Sequence, residues 1–313
     1  MFFDAHADIL TDMYQEHLKG DSSSFKTRHL TAYKTAGITH SIFVNWTDPT
    51  TTDASLFDTI FNYAFQELDN HQDIFHVIKN VCDIDESASL NKIGVIIGME
   101  GIHQLRDVNH LRELYQKGVR HAGLTWNEVN RYAAGLSSET EGLTIHGQDI
   151  LHEMEQLGMI IDLAHANERT FQDIFNHTTQ PLIISHGNTK SVCDHIRNYT
   201  DSQLIQLQQR GGVIGVCGIK QFISSEPSGQ TVEGMVDHID YIVSKIGINH
   251  VGLGLDICYY LRDINVSNGV DGLQTIADAP NIIIELKKRG YSDTEIEKIT
   301  YGNFMRVIRT ILR

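Results

Sequence analysis

The chain has 313 residues and a formal net charge of −15. At 41% hydrophobic and 21% charged, it carries enough apolar material for a sizeable core, which excludes disorder and fibrous repeats. The negative field repels phosphate backbones and anionic lipid surfaces, so nucleic acid and membrane are excluded as partners. The four cysteines, Cys82, Cys193, Cys217 and Cys258, form no C-x-x-C spacing, so neither a disulfide framework nor a zinc knuckle is expected. Together with an opening segment, MFFDAHADIL, that has no basic leader character, and with no long apolar run, this predicts a cytoplasmic protein.

In chain order, short apolar runs with polar or Gly punctuation predict strands over 2–5, 40–46, 94–99, 121–126, 159–163, 182–185, 212–216 and 250–255. Most are apolar on consecutive residues, as strands covered on both faces must be. Between them, helical spacing runs over 53–68, 108–116, 147–157, 168–175, 201–209, 232–245 and 293–312. Gly118, Gly158, Gly211 and Gly247 stand where helices should end. Strict alternation implies parallel strands with right-handed crossovers, and eight units predict a closed (β/α)8 barrel, an α/β fold. No G-x-G-x-x-G follows the first strand, which weighs against a dinucleotide-binding sheet. No linker divides the chain, so residues 1–313 are read as one domain, with longer loops at 17–28 and 259–278.

Ligand-type residues collect at the predicted strand ends. His6 and Asp8 share a strand face by alternation and make a two-donor clip. Glu100 follows the apolar run GVIIGM, His165 ends MIIDLAH, His186 ends LIISH and Asp256 ends HVGLGLD. One strand-end histidine is more often structural than catalytic, but six donors at the loop-bearing end of one barrel point to a metal site. Six exceed what one open tetrahedral site uses and match two metals bridged by a carboxylate and a hydroxide. Imidazole with carboxylate suits zinc first, with iron, manganese or cobalt as alternatives.

The motifs DAHADIL, GMEG, LTWN, DLAH, SHGNTKSVCDHIRNYTD, HVGLGLD and GNFMRV, in this order, resemble the membrane dipeptidase (renal dipeptidase) family of the amidohydrolase superfamily across the whole barrel. The resemblance implies a zinc pair bridged by Glu100, with His6 and Asp8 on one metal and His165 and His186 on the other. It also implies that a metal-bridging hydroxide attacks the peptide carbonyl while Asp256 handles the proton. Arg197 matches the family arginine that binds the substrate's free carboxylate, and relatives are often dimers. Cys193 and His195, beside it, are read as supports of the loop. Trp126 stands where well-known members place a histidine that contacts the tetrahedral intermediate; Asn127, Asn130 or Arg131 would compensate, or Trp126 would form an aromatic pocket wall. Ile219 stands near where relatives have a tyrosine.

The expected partner is therefore a small dipeptide, including one with a C-terminal D-residue. Trp126 motivates the alternative of another amide, a lactam, a lactone or an N-acyl amino acid. A barrel that kept the fold without catalysis is a third reading, opposed by the complete donor set.

Overall fold

The apolar runs fold into parallel strands joined by helices. The computed structural model describes residues 1–261 and 268–313; the middle of the loop expected over 259–278 lies outside the described residues. The strands are β1 (Phe2–Ala7), β2 (Ile38–Trp46), β3 (Phe75–Val77), β4 (Ile93–Glu100), β5 (Val119–Gly123), β6 (Ile160–Asp162), β7 (Ile183–Ile184), β8 (Val213–Val216) and β9 (Val251–Leu253). The sheet runs β1-β2-β4-β5-β6-β7-β8-β9 in chain order, with β3 paired to β4 alone. Eight strands in sequential order with intervening helices are those of a (β/α)8 barrel, as expected.

Two expectations need correction. A ninth strand, β3, pairs in parallel with the start of β4, Phe75 opposite Ile93 and Val77 opposite Val95; three residues are too short to show a period. β5 stops at Gly123 instead of reaching residue 126, because the Leu124 carbonyl turns to accept from the Ile102 N–H and from Asn130 Nδ2.

The contacts gather into two compact units. The first comprises Met1–Ala7, Ser24–Ser41 and Ile184–Val307. Within it β9 packs beside β1, and the Leu255 N–H donates to Asp4 Oδ1 at 2.8 Å. Phe304 stacks on Phe3 at 5.2 Å; a Cβ at Gly252 would lie 2.5 Å from the Phe304 ring, so only glycine lets that ring reach the strand. Helices Asp201–Gln209 and Val232–Ile246 are capped by Thr200 and Thr231, and Gly247 ends the second as expected. The last predicted helix is continuous but contains a π-helical turn, Lys298–Gly302, between Asp293–Glu297 and Asn303–Ile311.

The second unit comprises Asp8–Ser23, Ile42–Ile183 and Ile308–Arg313. Its centre is β4, buried along its whole length, with β5 paired to it and β6 paired to β5. His121 of β5 lies against Gly98 of β4, where a Cβ would come within 2.4 Å of the imidazole Nδ1. The same ring meets Asp162 at 3.0 Å through Nε2, so a buried polar pair, instead of aliphatic packing, fills this level of the interior. Helices Val108–Lys117, Ile145–Leu157 and Glu168–His177 start on Asp107, Thr144 and Asn167, each accepting a backbone N–H of its first turn. Gly118 and Gly158 end the first two. No helix among the described residues is long and apolar enough to cross a membrane.

Candidate metal and catalytic site

In the first unit, β1 delivers His6 while the segments after β7 and β9 deliver His186 and Asp256. The His6 and His186 rings lie 3.9 Å apart, and an Asp256 carboxylate oxygen lies 4.0 Å from Nε2 of each. All three are buried. At 4.0 Å these are not hydrogen bonds. They leave room for a cation beside the three donors, since metal–nitrogen and metal–oxygen bonds of about 2.0–2.2 Å set ligand atoms roughly 3–4 Å apart.

Asp256 occupies the left-handed region at φ +53, as does His165 at φ +65. Such backbone costs about 1–3 kcal/mol in a non-Gly residue and persists only where its surroundings hold it. Asp256 is held on both sides. Its carbonyl accepts from Asn268 Nδ2 at 3.0 Å, the preceding N–H is anchored on Asp4, and the Cys258 thiol lies 3.3 Å from its carboxylate. Burial pushes the Asp4 carboxyl up to about 7, against the pull of the Leu255 and His6 N–H donors. Burial pushes the neighbouring Cys217 thiol to about 12, leaving it a protonated, inert packing group.

Arg197 is buried in the loop after His186. Its N–H donates to His195 Nδ1 at 3.1 Å, and its guanidinium lies 5.5 Å from the Phe222 ring centre. The Cys193 carbonyl accepts from Asn198 Nδ2, and with the His195 bond this ties the segment around Arg197 together.

In the second unit, β4 ends in Glu100, and the turn after β6 carries His165. His165 Nε2 lies 2.8 Å from Glu100 Oε1, and its Nδ1 lies 3.0 Å from Asn127 Oδ1. With Asn127 Oδ1 accepting from Nδ1, Nε2 is the nitrogen that faces the carboxylate, and it presents a lone pair whenever the ring is neutral. Two lone pairs at that distance are favourable only around a proton or a metal cation, so this donor pair fits a cation. Asp8 is buried at the N-cap of helix Ile9–Leu18, yet its side chain does not cap that helix.

Each unit thus gathers part of the predicted set: His6, His186 and Asp256 in one, Glu100 and His165 in the other, with Asp8 and Arg197 buried in their own units. Asn127, expected near substrate, bonds to His165 instead of standing open. Asp4 was missed, although the same alternation that pairs His6 with Asp8 puts Asp4 on their face. Trp46 was missed too; its ring lies 5.4 Å from that of Trp126.

Solved structures share this fold. The chain superposes on the dipeptidase AC metallopeptidase with a TM-score of 0.86 at 20% identity, covering 99% of this chain and 98% of that one. It superposes on a metallopeptidase from Rhodobacter sphaeroides, solved with a phosphinate mimic of the dipeptide L-Ala-D-Ala, with a TM-score of 0.84 at 20% identity and 99% of both chains covered. Among curated proteins, dipeptidase tcpJ of Claviceps purpurea is 31% identical over 82% of this chain and 61% of its own length. Dipeptidase aclJ of Aspergillus oryzae is 32% identical over 78% and 60%. The chain therefore spans about three fifths of the length of these relatives. The family model described as membrane dipeptidase (peptidase family M19) matches residues 1–312. With the strand-end donors and the motif order in agreement with that match, the chain belongs to the membrane dipeptidase family.

Proposed function

We propose that the protein is a binuclear zinc dipeptidase that cleaves small dipeptides, including those ending in a D-residue, and that it works in the cytoplasm. His6, Asp8, Glu100, His165 and His186 would hold the metals. Bound zinc would supply a water acidified toward neutrality and a Lewis acid for the scissile carbonyl. Asp256 is the proton carrier of this reading, taking a proton during attack and returning it to the departing amine. The buried Arg197 would pair with the substrate's carboxylate, a planar fork suited to bidentate binding. The observation that carries the reading is Asp256 at 4.0 Å from both His6 and His186, a carboxylate beside two donor imidazoles. Support for the D-residue comes from the Rhodobacter neighbour's L-Ala-D-Ala mimic. Support for the reducing compartment comes from four cysteines without a disulfide.

Trp126 favours a second reading, in which the same metals hydrolyse an N-acyl amino acid, a lactam or another amide, because an indole cannot provide a cationic donor. The test is kcat/KM on metal-loaded protein across L,L- and L,D-dipeptides, N-acyl amino acids and cyclic amides, with metal content measured alongside. Near two metals per chain and preferential dipeptide cleavage, abolished in His186→Ala, is the expected result. Uniform weakness on dipeptides with strong N-acyl cleavage would favour the second reading. Metal-free protein with no activity would sink both.

A further inference from the structure

The two tryptophans of this chain are Trp46, the last residue of β2, and Trp126, just beyond β5. Eighty residues apart in sequence, their rings meet edge to face at 5.4 Å, interplanar angle 65°. The Trp126 ring lies 6.0 Å from the His165 ring, whose Nε2 faces Glu100. Both tryptophans remain part-exposed.

Both are rigidly mounted. Thr11 Oγ1 donates to the Trp46 carbonyl at 2.9 Å and accepts from the Trp46 N–H at 3.0 Å. The Trp126 backbone is gripped by two glycines: a Cβ at Gly135 would lie 2.1 Å from the Trp126 carbonyl oxygen, and one at Gly101, at φ +75, would lie 3.1 Å from its nitrogen. Gly101 directly follows Glu100, so the turn that presents the carboxylate also packs on the Trp126 backbone. The Trp46 indole Nε1, though buried, has no acceptor among the described residues. An unsatisfied buried donor is costly, and the part-exposed rings beside it leave some aromatic surface in contact with solvent.

We infer that Trp46 and Trp126 form a preorganised aromatic wall that selects a bulky, flat apolar side chain on the substrate. This rests on the hydrolase reading above for the reacting bond, and it adds the substrate class: dipeptides or acyl amino acids bearing Phe, Tyr or Trp in preference to Gly. The wall sits one ring from the ligand pair, within reach of a side chain adjacent to a carbonyl held there. Its rings already pack on each other before binding, which reduces the ordering entropy that opposes the contact.

Because the chain holds no third tryptophan, intrinsic fluorescence reports on the wall without catalysis. Metal-loaded protein is titrated with N-acetyl-Phe and N-acetyl-Gly, and kcat/KM is measured for X-Ala and Ala-X dipeptides with X as Gly, Leu or Phe. The expected result is a saturable emission change with N-acetyl-Phe at concentrations where N-acetyl-Gly gives none. In one dipeptide series the Phe member should exceed the Gly member by about tenfold or more. Trp126→Leu and Trp46→Leu should each shrink that Phe-to-Gly ratio, and Trp46→Phe, which keeps a ring, should retain most of it; melting curves check that all three fold. Equal emission responses to the two ligands, or an unchanged ratio in both Leu variants, would overturn the inference. If no dipeptide is cleaved but N-acetyl-Phe still gives the selective emission change, the dipeptidase reading has failed and the wall stands.

Discussion

His238 offers a pH experiment whose sign follows from two hydrogen bonds. It is fully buried on helix Val232–Ile246, accepts the Thr189 N–H on Nδ1 at 3.2 Å, and donates from Nε2 to the Ile223 carbonyl at 3.0 Å. A backbone N–H can only donate and a carbonyl only accept, so the ring must be neutral with its proton on Nε2. Protonating Nδ1 would set one N–H against another. Burial accordingly lowers the His238 pKa to about 4, against the smaller upward pulls of the Ile223 carbonyl and of Asp237.

The unfolded chain returns the ring to its ordinary pKa near 6.5 and binds the proton that the native state refuses. Stability from this group is therefore complete above pH 6.5 and is lost as pH falls to about 4. At 1.36 kcal/mol per pH unit, that interval is worth about 3 kcal/mol. His238→Asn removes the titration while leaving an acceptor near Thr189. Urea unfolding at intervals from pH 7.5 to 4 should show the wild type losing about 3 kcal/mol more than the variant over the window, with the two curves parallel above pH 7. Curves parallel throughout would refute the tautomer argument. Thr189 lies in the loop that carries Arg197, so the same acid step should loosen the region that this reading assigns to the substrate carboxylate.

What could be read from the sequence was chemistry local to a strand end. DAHAD, GMEG, DLAH, ISH and GLGLD each place a donor after an apolar run, and a barrel brings its strand ends to one side. What could not be read was long-range. Asn127 meets His165 across 38 residues, and nothing in LTWN distinguishes an amide that orients a ligand from one that meets substrate. Trp46 closes on Trp126 across the end of β4, which lies between β2 and β5 in the sheet, and neither local sequence encodes that meeting. The left-handed backbone at His165 and Asp256 is uncommon for non-Gly residues, yet Asp and His are among the types that tolerate it, so nothing in the local sequence marks it. That two expected functional residues bear this strain fits the tendency of proteins to accept it at sites they use.

Two further perturbations separate packing from chemistry. A Cβ at Gly254 would lie 1.7 Å from the Ser185 carbonyl oxygen, whereas one at Gly211 would meet nothing within 4 Å but would sit at φ +72. Gly211→Ala should thus cost only the conformational strain of about 1–2 kcal/mol. Gly254→Ala should cost clearly more, because backbone beside His186 must move; melting temperatures that ranked the two in the opposite order would refute the reasoning. Asn127 decides between two roles. If its carbonyl fixes the His165 tautomer, Asn127→Leu should weaken metal retention or lower kcat by about 10–100-fold with little change in KM. Asn127→Asp, which keeps the acceptor, should recover most of the loss. Chelator competition with a chromogenic zinc indicator, run beside steady-state kinetics, measures both quantities. If Asn127→Leu instead raised KM while metal affinity and kcat held, Asn127 would be a substrate contact after all, and its bond to His165 incidental. The 3.0 Å distance, with His165 turning its other nitrogen to Glu100 at 2.8 Å, makes the positioning role the expected one. An imidazole anchored at one nitrogen presents the other to a cation in a single orientation.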